Sequence, residues 1–263
     1  MKDNQQMILQ HYRQVPFFQF ADLARFSGIV HGVFTRRGGV SRSPFDSLNV
    51  SLRAGDDEAC VLRNRAIVAE CMRADDLVFI NQVHEADVIV FKRDDPLNDA
   101  GTSGGAVTGD AMISNVPGKM LCIQAADCQP VLLHDPVAQA VANIHSGWRG
   151  SIQNIIGRTI RSMEENFGCK PSDIVAGIGP SLGPCCAEFI HYRKELPKSF
   201  WKFKNDSQCF DFWAASRHQL EAAGIRSGNI ATSTICTRCR TDLFFSYRAE
   251  KRTGRFATVI GRR

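Results

Sequence analysis

Three side chains have the types and settings to do chemistry together: His84 in the polar connection "NQVHEAD", Cys128 in "QAADC" and His145 in "HSGWRG". Asp135-Pro136 is a strong turn signal, because proline presets φ at the second turn position and aspartate suits the first. A turn over 135–138 predicts that Cys128 and His145 lie directly opposite one another on two antiparallel strands, with Cβ atoms about 4.5–5.5 Å apart. That separation lets both hold one metal ion, or lets the imidazole take the thiol proton. A thiolate and two imidazoles leave a tetrahedral zinc ion one open position, as in catalytic rather than structural zinc. Zinc so held lowers the pKa of bound water towards about 7. Without metal, the same three side chains can act as a nucleophile and its bases. The residues leave both readings open, beside the plain one that a Cys and a His in a sheet fill core or rim. Against the plain reading stand Asp127 at a strand entrance, the tight turn carrying Trp148 and Arg149, and the isolated His84.

The other reactive residues offer less. Cys236-Thr-Arg-Cys239 is a CxxC without a partner pair, and vicinal Cys185 and Cys186 read as packing. His31 reads as structural. "TRRGGVS" suits an anion, since two glycines let backbone N–H groups approach a ligand while Arg36 or Arg37 offers a fork of donors. The chain has neither a GxGxxG nor a GxxxxGK stretch, so dinucleotide and P-loop chemistry have no support.

Elements that must position these residues follow from periodicity. "DDEACVLRNRAIVAECM" predicts a helix capped by Asp56 or Asp57. "SIQNIIGRTIRSMEENFG" has apolar residues at steps of three and four and Gly168 as a stop. "DFWAASRHQLEAAG" predicts a further helix ending at Gly224. "DLVFINQVHEADVIVF" reads as a strand pair or a strand, bulge and strand, with His84 in the connection. The Asp-, Gly- and Pro-rich "KRDDPLNDAGTSGGAVTGD" reads as a mobile loop, and the tail as two strands around a basic turn. Irregular alternation of strands and helices favours a mixed α/β (α+β) fold. With no internal repeat or linker, residues 26–263 read as one domain and 1–25 as a loosely ordered extension.

The 263 residues are 44% hydrophobic and 22% charged, enough for a full core. The net charge of +5 is scattered rather than blocked into runs, which argues against a nucleic-acid groove and leaves a small-anion pocket open. The absence of a long apolar run or a leader argues against a membrane span and for a cytoplasmic protein with ten reduced cysteines.

"HGVFTRRGGVS…LNVS", "NQVH", "ADCQPVLL", "HSGWRG", "IGP" and "FFSYR…TGR", in that order, closely resemble the laccase-domain family. That family, also called polyphenol oxidase or YfiH-like, includes purine nucleoside phosphorylases and a peptidoglycan editing factor. The resemblance implies a single domain of αββα layers with zinc held by His84, Cys128 and His145, and it places the family's "TRxGG" arginine on Arg36. It implies cleavage of purine nucleosides (adenosine, inosine or methylthioadenosine) with phosphate, and deamination of adenosine. On this reading Arg36 and Arg149 take phosphate or substrate anions, while Asn49, Gln82 and Asp127 contact or support substrate. The older label of copper-dependent phenol oxidation fits a chain of 7 histidines poorly, although copper binds such ligands tightly. Alternatives are an amide hydrolase acting on a cell-wall precursor through the Cys and His, and a scaffold with a structural metal. The sequence assigns no oligomeric state.

Overall fold

The computed structural model describes residues 6–92 and 107–263. The chain runs β1 (Met7–Tyr12), β2 (Val15–Phe20), α1 (Ala21–Ala24), β3 (Ile29–Phe34), α2 (Glu58–Met72), β4 (Asp76–Phe79), β5 (Val88–Phe91), β6 (Ala111–Ser114), β7 (Lys119–Ala125), β8 (Gln129–Asp135) and β9 (Ala140–Ser146). It continues through α3 (Trp148–Ile152), α4 (Ile155–Phe167), β10 (Val175–Ile178), α5 (Tyr192–Glu195), α6 (Phe212–Ala222), β11 (Ile230–Thr232), α7 (Tyr247–Glu250) and β12 (Phe256–Arg262). One mixed sheet has the order β1-β2-β3-β12-β7-β4, the other β11-β10-β8-β9-β6-β5.

The two sheets stack, and their facing side chains form the central core: Phe20, Val33, Leu121, Ile123, Phe256 and Ile260 against Phe91, Met112, Leu132, Val141 and Val175. α2 covers the outer face of the first sheet through Val68 and Met72. α4 and α6 cover the second through Ile155, Ile156, Ile160, Met163 and Leu220. The layers are therefore αββα. Asn143 of β9 pins the sheets together, donating from Nδ2 to the carbonyls of Leu121 and Thr258 on the opposite sheet.

The predicted helices form, except that the one read over 151–168 breaks at Asn154, which at φ 56° caps α4 and leaves Ser151 and Ile152 in α3. Asp57 caps α2 by accepting the Cys60 N–H, and Gly168 ends α4 in the left-handed region at φ 67°. Three expectations are corrected. Residues 7–20 are no loose extension: β1 and β2 form a hairpin in full register from Met7↔Phe20 to Tyr12↔Val15, and β2 joins β3. β1 is an edge strand with only Met7 buried, so its sequence lacks the alternation that marks a half-buried strand. β4 and β5 are not a pair, since each pairs in parallel at the edge of a different sheet, β4 with β7 and β5 with β6. The segment between them crosses from sheet to sheet and carries His84. The tail has one strand, β12; Phe244 and Phe245 are apolar because their turn plugs the core between the sheets. Most of the segment read as a mobile loop, 93–106, lies outside the described residues.

Candidate metal centre and its pocket

β8 and β9 form the hairpin that the Asp135-Pro136 signal predicts, with a different register. Asp135 Oδ1 accepts the N–H groups of Val137 and Ala138, and Asp135 pairs with Ala140, so the loop is two residues longer than expected. His145 therefore stands opposite Pro130, not Cys128. A shift of two residues keeps side chains on the same face, and Cys128, just before β8, still reaches His145. Ligand atoms of His84, Cys128 and His145 all lie within 4.8 Å of one another. Gly147 makes room for this: a Cβ there would stand 3.2 Å from Cys128 Sγ and 3.3 Å from His84 Cδ2.

A residue that sequence reasoning missed organises the triad. Asp110 is fully buried, and its Oδ1 lies 2.8 Å from His145 Nδ1. Its carboxylate also accepts the backbone N–H groups of Val83, His84 and Glu85. These three donors converge because His84 sits at φ 65°, making a backbone nest around the anion. Asp110 closes the segment read as a mobile loop; the available signal was a carboxylate set directly before the apolar run Ala111–Ile113.

Burial alone would push the Cys128 thiol up, but His145 and His84 beside it outweigh burial and bring it down to about 6. Burial would likewise lower His145, yet the Cys128 thiolate and Asp110 raise it to about 9. Burial opposes ionisation of Asp110, and its hydrogen bonds to His145 and to the 84–85 backbone hold it below the usual carboxylate range. The metal-free site is thus a thiolate and imidazolium pair resting on a carboxylate. The donor set fits zinc: one thiolate and two imidazoles, with Asp110 occupying His145 Nδ1 so that Nε2 is left as the ligand atom.

The triad opens into a cavity of about 590 Å³. Trp148, Phe189, Phe212 and Tyr247 supply aromatic walls, and Arg53, Arg65, Arg149, Arg248, Lys251 and Arg255 supply positive charge. Of the residues expected to contact substrate, Arg149, Gln82 and Asp127 line this cavity. The Arg149 guanidinium lies 4.5 Å from the Trp148 ring centroid. Gln82 is committed at both ends of its amide, donating to the Gln124 carbonyl and accepting the Gln124 N–H. Asp127, at φ 81°, accepts from the Thr237 and Ser246 hydroxyls and the Arg248 N–H, so it clasps two chain segments, the 237 loop and the start of α7, behind Cys128.

One expected contact is corrected. Arg36 lies in a separate, shallow pocket, with its guanidinium donating to Glu250 at 2.7 Å and to the carbonyls of Asp46 and Thr241 and stacking 4.5 Å from the Phe245 ring. Asn49 is fully buried and does not itself line the cavity, but it bonds Asp56 and the backbone of two residues that do, accepting the N–H groups of Ser51 and Arg255, so of the two expected roles, contact or support, its position fits support. Arg65 and Arg255 were missed for different reasons: Arg65 stands in no recognisable motif, whereas Arg255 is the arginine of "TGR", a stretch used for the resemblance but given no role. Arg65 projects from α2, donates from Nε to the Val50 carbonyl and stacks 3.8 Å from the Phe79 centroid, while its buried Nη1 has no partner among the described residues.

Residues 30–263 match the family model described as multi-copper polyphenol oxidoreductase laccase. The chain is 37% identical over 251 residues to purine nucleoside phosphorylase YlmD of Geobacillus stearothermophilus, covering 90% of this chain and 92% of the relative. It is 34% identical over 247 residues to a purine nucleoside phosphorylase of Bacteroides thetaiotaomicron, covering 87% and 89%. The crystal structure of Geobacillus stearothermophilus YlmD superposes with a TM-score of 0.85 at 34% identity over 98% of this chain and 99% of that one. Bacillus licheniformis YfiH superposes equally well, at 0.85 and 30% identity over 97% and 99%.

Proposed function

The chain belongs to the multi-copper polyphenol oxidoreductase laccase family, and we propose that within it this protein is a zinc-dependent purine nucleoside phosphorylase. Its substrates on this reading are adenosine, inosine or methylthioadenosine with inorganic phosphate, and adenosine deamination is its second activity.

The observation that carries the reading is a pair of arginines, Arg65 buried and Arg255 half-buried. Arg65 and Arg255 line the same cavity as His84, Cys128 and His145, and among the described residues neither lies in an ion pair with a carboxylate. Burial lowers the pKa of both guanidinium groups, so both lose hydration that an anionic ligand would replace. Phosphate matches the forked donors of arginine, and the aromatic walls match a planar purine. The volume is within the range of small-molecule sites.

His84, Cys128 and His145 are the residues that would hold zinc, which when bound supplies a Lewis acid at the reacting end of the substrate. Asp110 fixes the His145 tautomer and ring orientation. Arg65 and Arg255 hold phosphate and aim one oxygen at ribose C1′. The glycosidic bond breaks as that oxygen bonds to carbon, its electron pair leaves with the purine, the proton of the attacking hydrogen phosphate passes to the purine nitrogen, and free base and ribose 1-phosphate result. Zinc deaminases use a glutamate to carry protons. No glutamate lines this cavity among the described residues, and Asp127 is committed elsewhere, so deamination is the slower activity. Oxidation by several coppers needs several histidines; this cavity has two, so zinc is the metal we assign, with copper as its competitor.

A second reading, amide hydrolysis of a cell-wall precursor, is favoured by the thiol held at about 6 beside His145. It requires no phosphate, and thiol alkylation would inhibit it where gentle chelation would not. No described helix is long and apolar enough to cross a membrane, and the free cysteines suit a reducing cytoplasm.

The test incubates zinc-assayed protein with adenosine and inosine, with and without phosphate, and resolves the products by chromatography. Free base and ribose 1-phosphate that form only with phosphate, and not with Cys128→Ala, are expected. No product from either nucleoside would overturn the reading.

A further inference from the structure

The CxxC of Cys236 and Cys239 has no partner pair in the sequence around it, but the fold supplies one. The loop after β10 brings vicinal Cys185 and Cys186 against it, and the four sulfurs all lie within 4.8 Å of one another. We propose that Cys185, Cys186, Cys236 and Cys239 form a structural site for a single zinc ion, sharing no residue with the His84, Cys128 and His145 triad.

The spacing suits one tetrahedral ion. Zinc–sulfur bonds of about 2.3 Å place the corners of a regular tetrahedron about 3.8 Å apart. Cys239 Sγ stands 3.6 Å from the sulfurs of both Cys185 and Cys186. A disulfide needs one partner at bonding distance, whereas here one sulfur is equidistant from two. Iron–sulfur clusters spread their cysteines over several irons; four sulfurs around a single point select one soft-ligand ion.

The backbone is arranged for thiolates. Gly183 N donates to Cys236 Sγ at 3.3 Å, a bond that orients the sulfur and offsets its charge. Gly183 has no space for a side chain there, since a Cβ would stand 3.1 Å from Cys236 Cβ and 2.7 Å from Trp213 Cη2. Two backbone bonds zip the loops together, Ser181 N to the Ile235 carbonyl and Thr237 N to the Ser181 carbonyl. Arg238 turns its guanidinium towards Cys186, against the negative charge that four thiolates and one divalent ion would carry. Cys185 and Cys239 are exposed, so an ion reaches the site from solvent, and each thiol gives up its proton as the metal binds.

The position gives the site a purpose. The loops that it would join carry Ser181 and Leu182 of the cavity wall and Thr237 of the Asp127 clasp. Metal here would brace that wall from behind without touching substrate.

The test uses the full-length chain with Cys128→Ala, which empties the triad. After reduction, zinc loading and desalting, about one zinc per chain is expected, and none in Cys128→Ala/Cys239→Ser. Cobalt-loaded Cys128→Ala is expected to show the sulfur charge-transfer and intense visible bands of four-thiolate coordination. Zinc-free Cys128→Ala, or cobalt bands unchanged by Cys239→Ser, would overturn the proposal. So would a disulfide joining Cys239 to Cys185 or Cys186 in metal-loaded wild type, found by peptide mapping. Should Cys128→Ala not fold, alkylation of wild type decides: Cys185 and Cys239 resist reagent until chelator is added, and equal rates with and without zinc would refute the site.

Discussion

His145 Nδ1 lies 2.8 Å from Asp110 Oδ1, and that same oxygen accepts the His84 backbone N–H at 2.9 Å, so one buried carboxylate sets two of the three side chains of the candidate metal centre. Partners of this kind fix ligand orientation, and their loss typically costs 10–100-fold in metal affinity. Asp110→Asn keeps the shape and removes the charge. The expected result is zinc binding weakened by about 10–100-fold in a chelator competition, with turnover at saturating zinc also reduced. Unchanged affinity would remove Asp110 from this role.

The arginines separate by neighbourhood. Arg65 has a buried nitrogen without a partner in the cavity, whereas Arg36 is already satisfied by Glu250, Asp46 and Thr241. Arg65→Lys is expected to raise the phosphate KM by about tenfold or more, as loss of a charged hydrogen bond worth ~1.5–3 kcal/mol implies, with the nucleoside KM nearly unchanged. Arg36→Met is expected to leave the phosphate KM alone and to cost about 1–2 kcal/mol of stability, because it removes a charged hydrogen bond to a Glu250 that water still reaches. Initial-rate kinetics and urea unfolding read the two effects, and reversed outcomes would restore Arg36 as the phosphate ligand.

The three candidate side chains were legible from their settings, a costly Asp127 before Cys128, a tight turn after His145 and an isolated His84 in a polar connection, and from the Asp135-Pro136 turn that fixes a hairpin by local chemistry; the family resemblance joined them as one set. The register slipped because Asp135 caps a longer loop than the minimal turn, a choice made by its two backbone contacts and not by its residue type. β4 and β5 looked like neighbours because an apolar run says how deeply a strand is buried, not which sheet it joins. Arg65 was hidden for a related reason. A charged residue on a helix reads as solvated unless the fold is known to close over it, and only the stacking of α2 against Phe79 shows that it does. The four-cysteine cluster is non-local altogether, with its halves about fifty residues apart.

His31 provides a pH handle outside the metal centre. It is buried between the sheets, and its Nε2 accepts the Phe20 N–H at 2.9 Å. Burial, with a smaller push from His134, lowers its pKa from 6.5 to about 4. The unfolded chain therefore takes up a proton near 6.5 that the folded chain refuses until about 4. Stability from this group is complete above 6.5 and is lost as pH falls through that window, by about 3 kcal/mol in all at ~1.4 kcal/mol per pH unit. Urea unfolding of metal-free wild type and His31→Gln, compared from pH 7 to 4, is expected to show the wild type losing its advantage over this range. A pH-independent difference between the two would show that His31 does not titrate on unfolding.

Gly147 offers the sharpest separation of metal binding from folding. Its backbone, at φ −73° and ψ 170°, is one that alanine adopts without strain, so a substitution there acts only through the added methyl. That methyl would stand 3.2 Å from Cys128 Sγ and 3.3 Å from His84 Cδ2, inside ordinary contact for both. The two side chains must then part by a few tenths of an ångström, and a metal site tolerates errors of only about 0.2 Å in its ligand distances. Gly147→Ala is expected to fold with nearly wild-type urea stability when metal-free, yet to bind zinc about tenfold or more weakly, corresponding to ~1.4 kcal/mol. Native mass spectrometry against a zinc buffer measures the affinity and circular dichroism measures the fold. Equal loss of both would show that the glycine serves the turn, whereas loss of affinity alone assigns its missing side chain to the space in which His84, Cys128 and His145 converge.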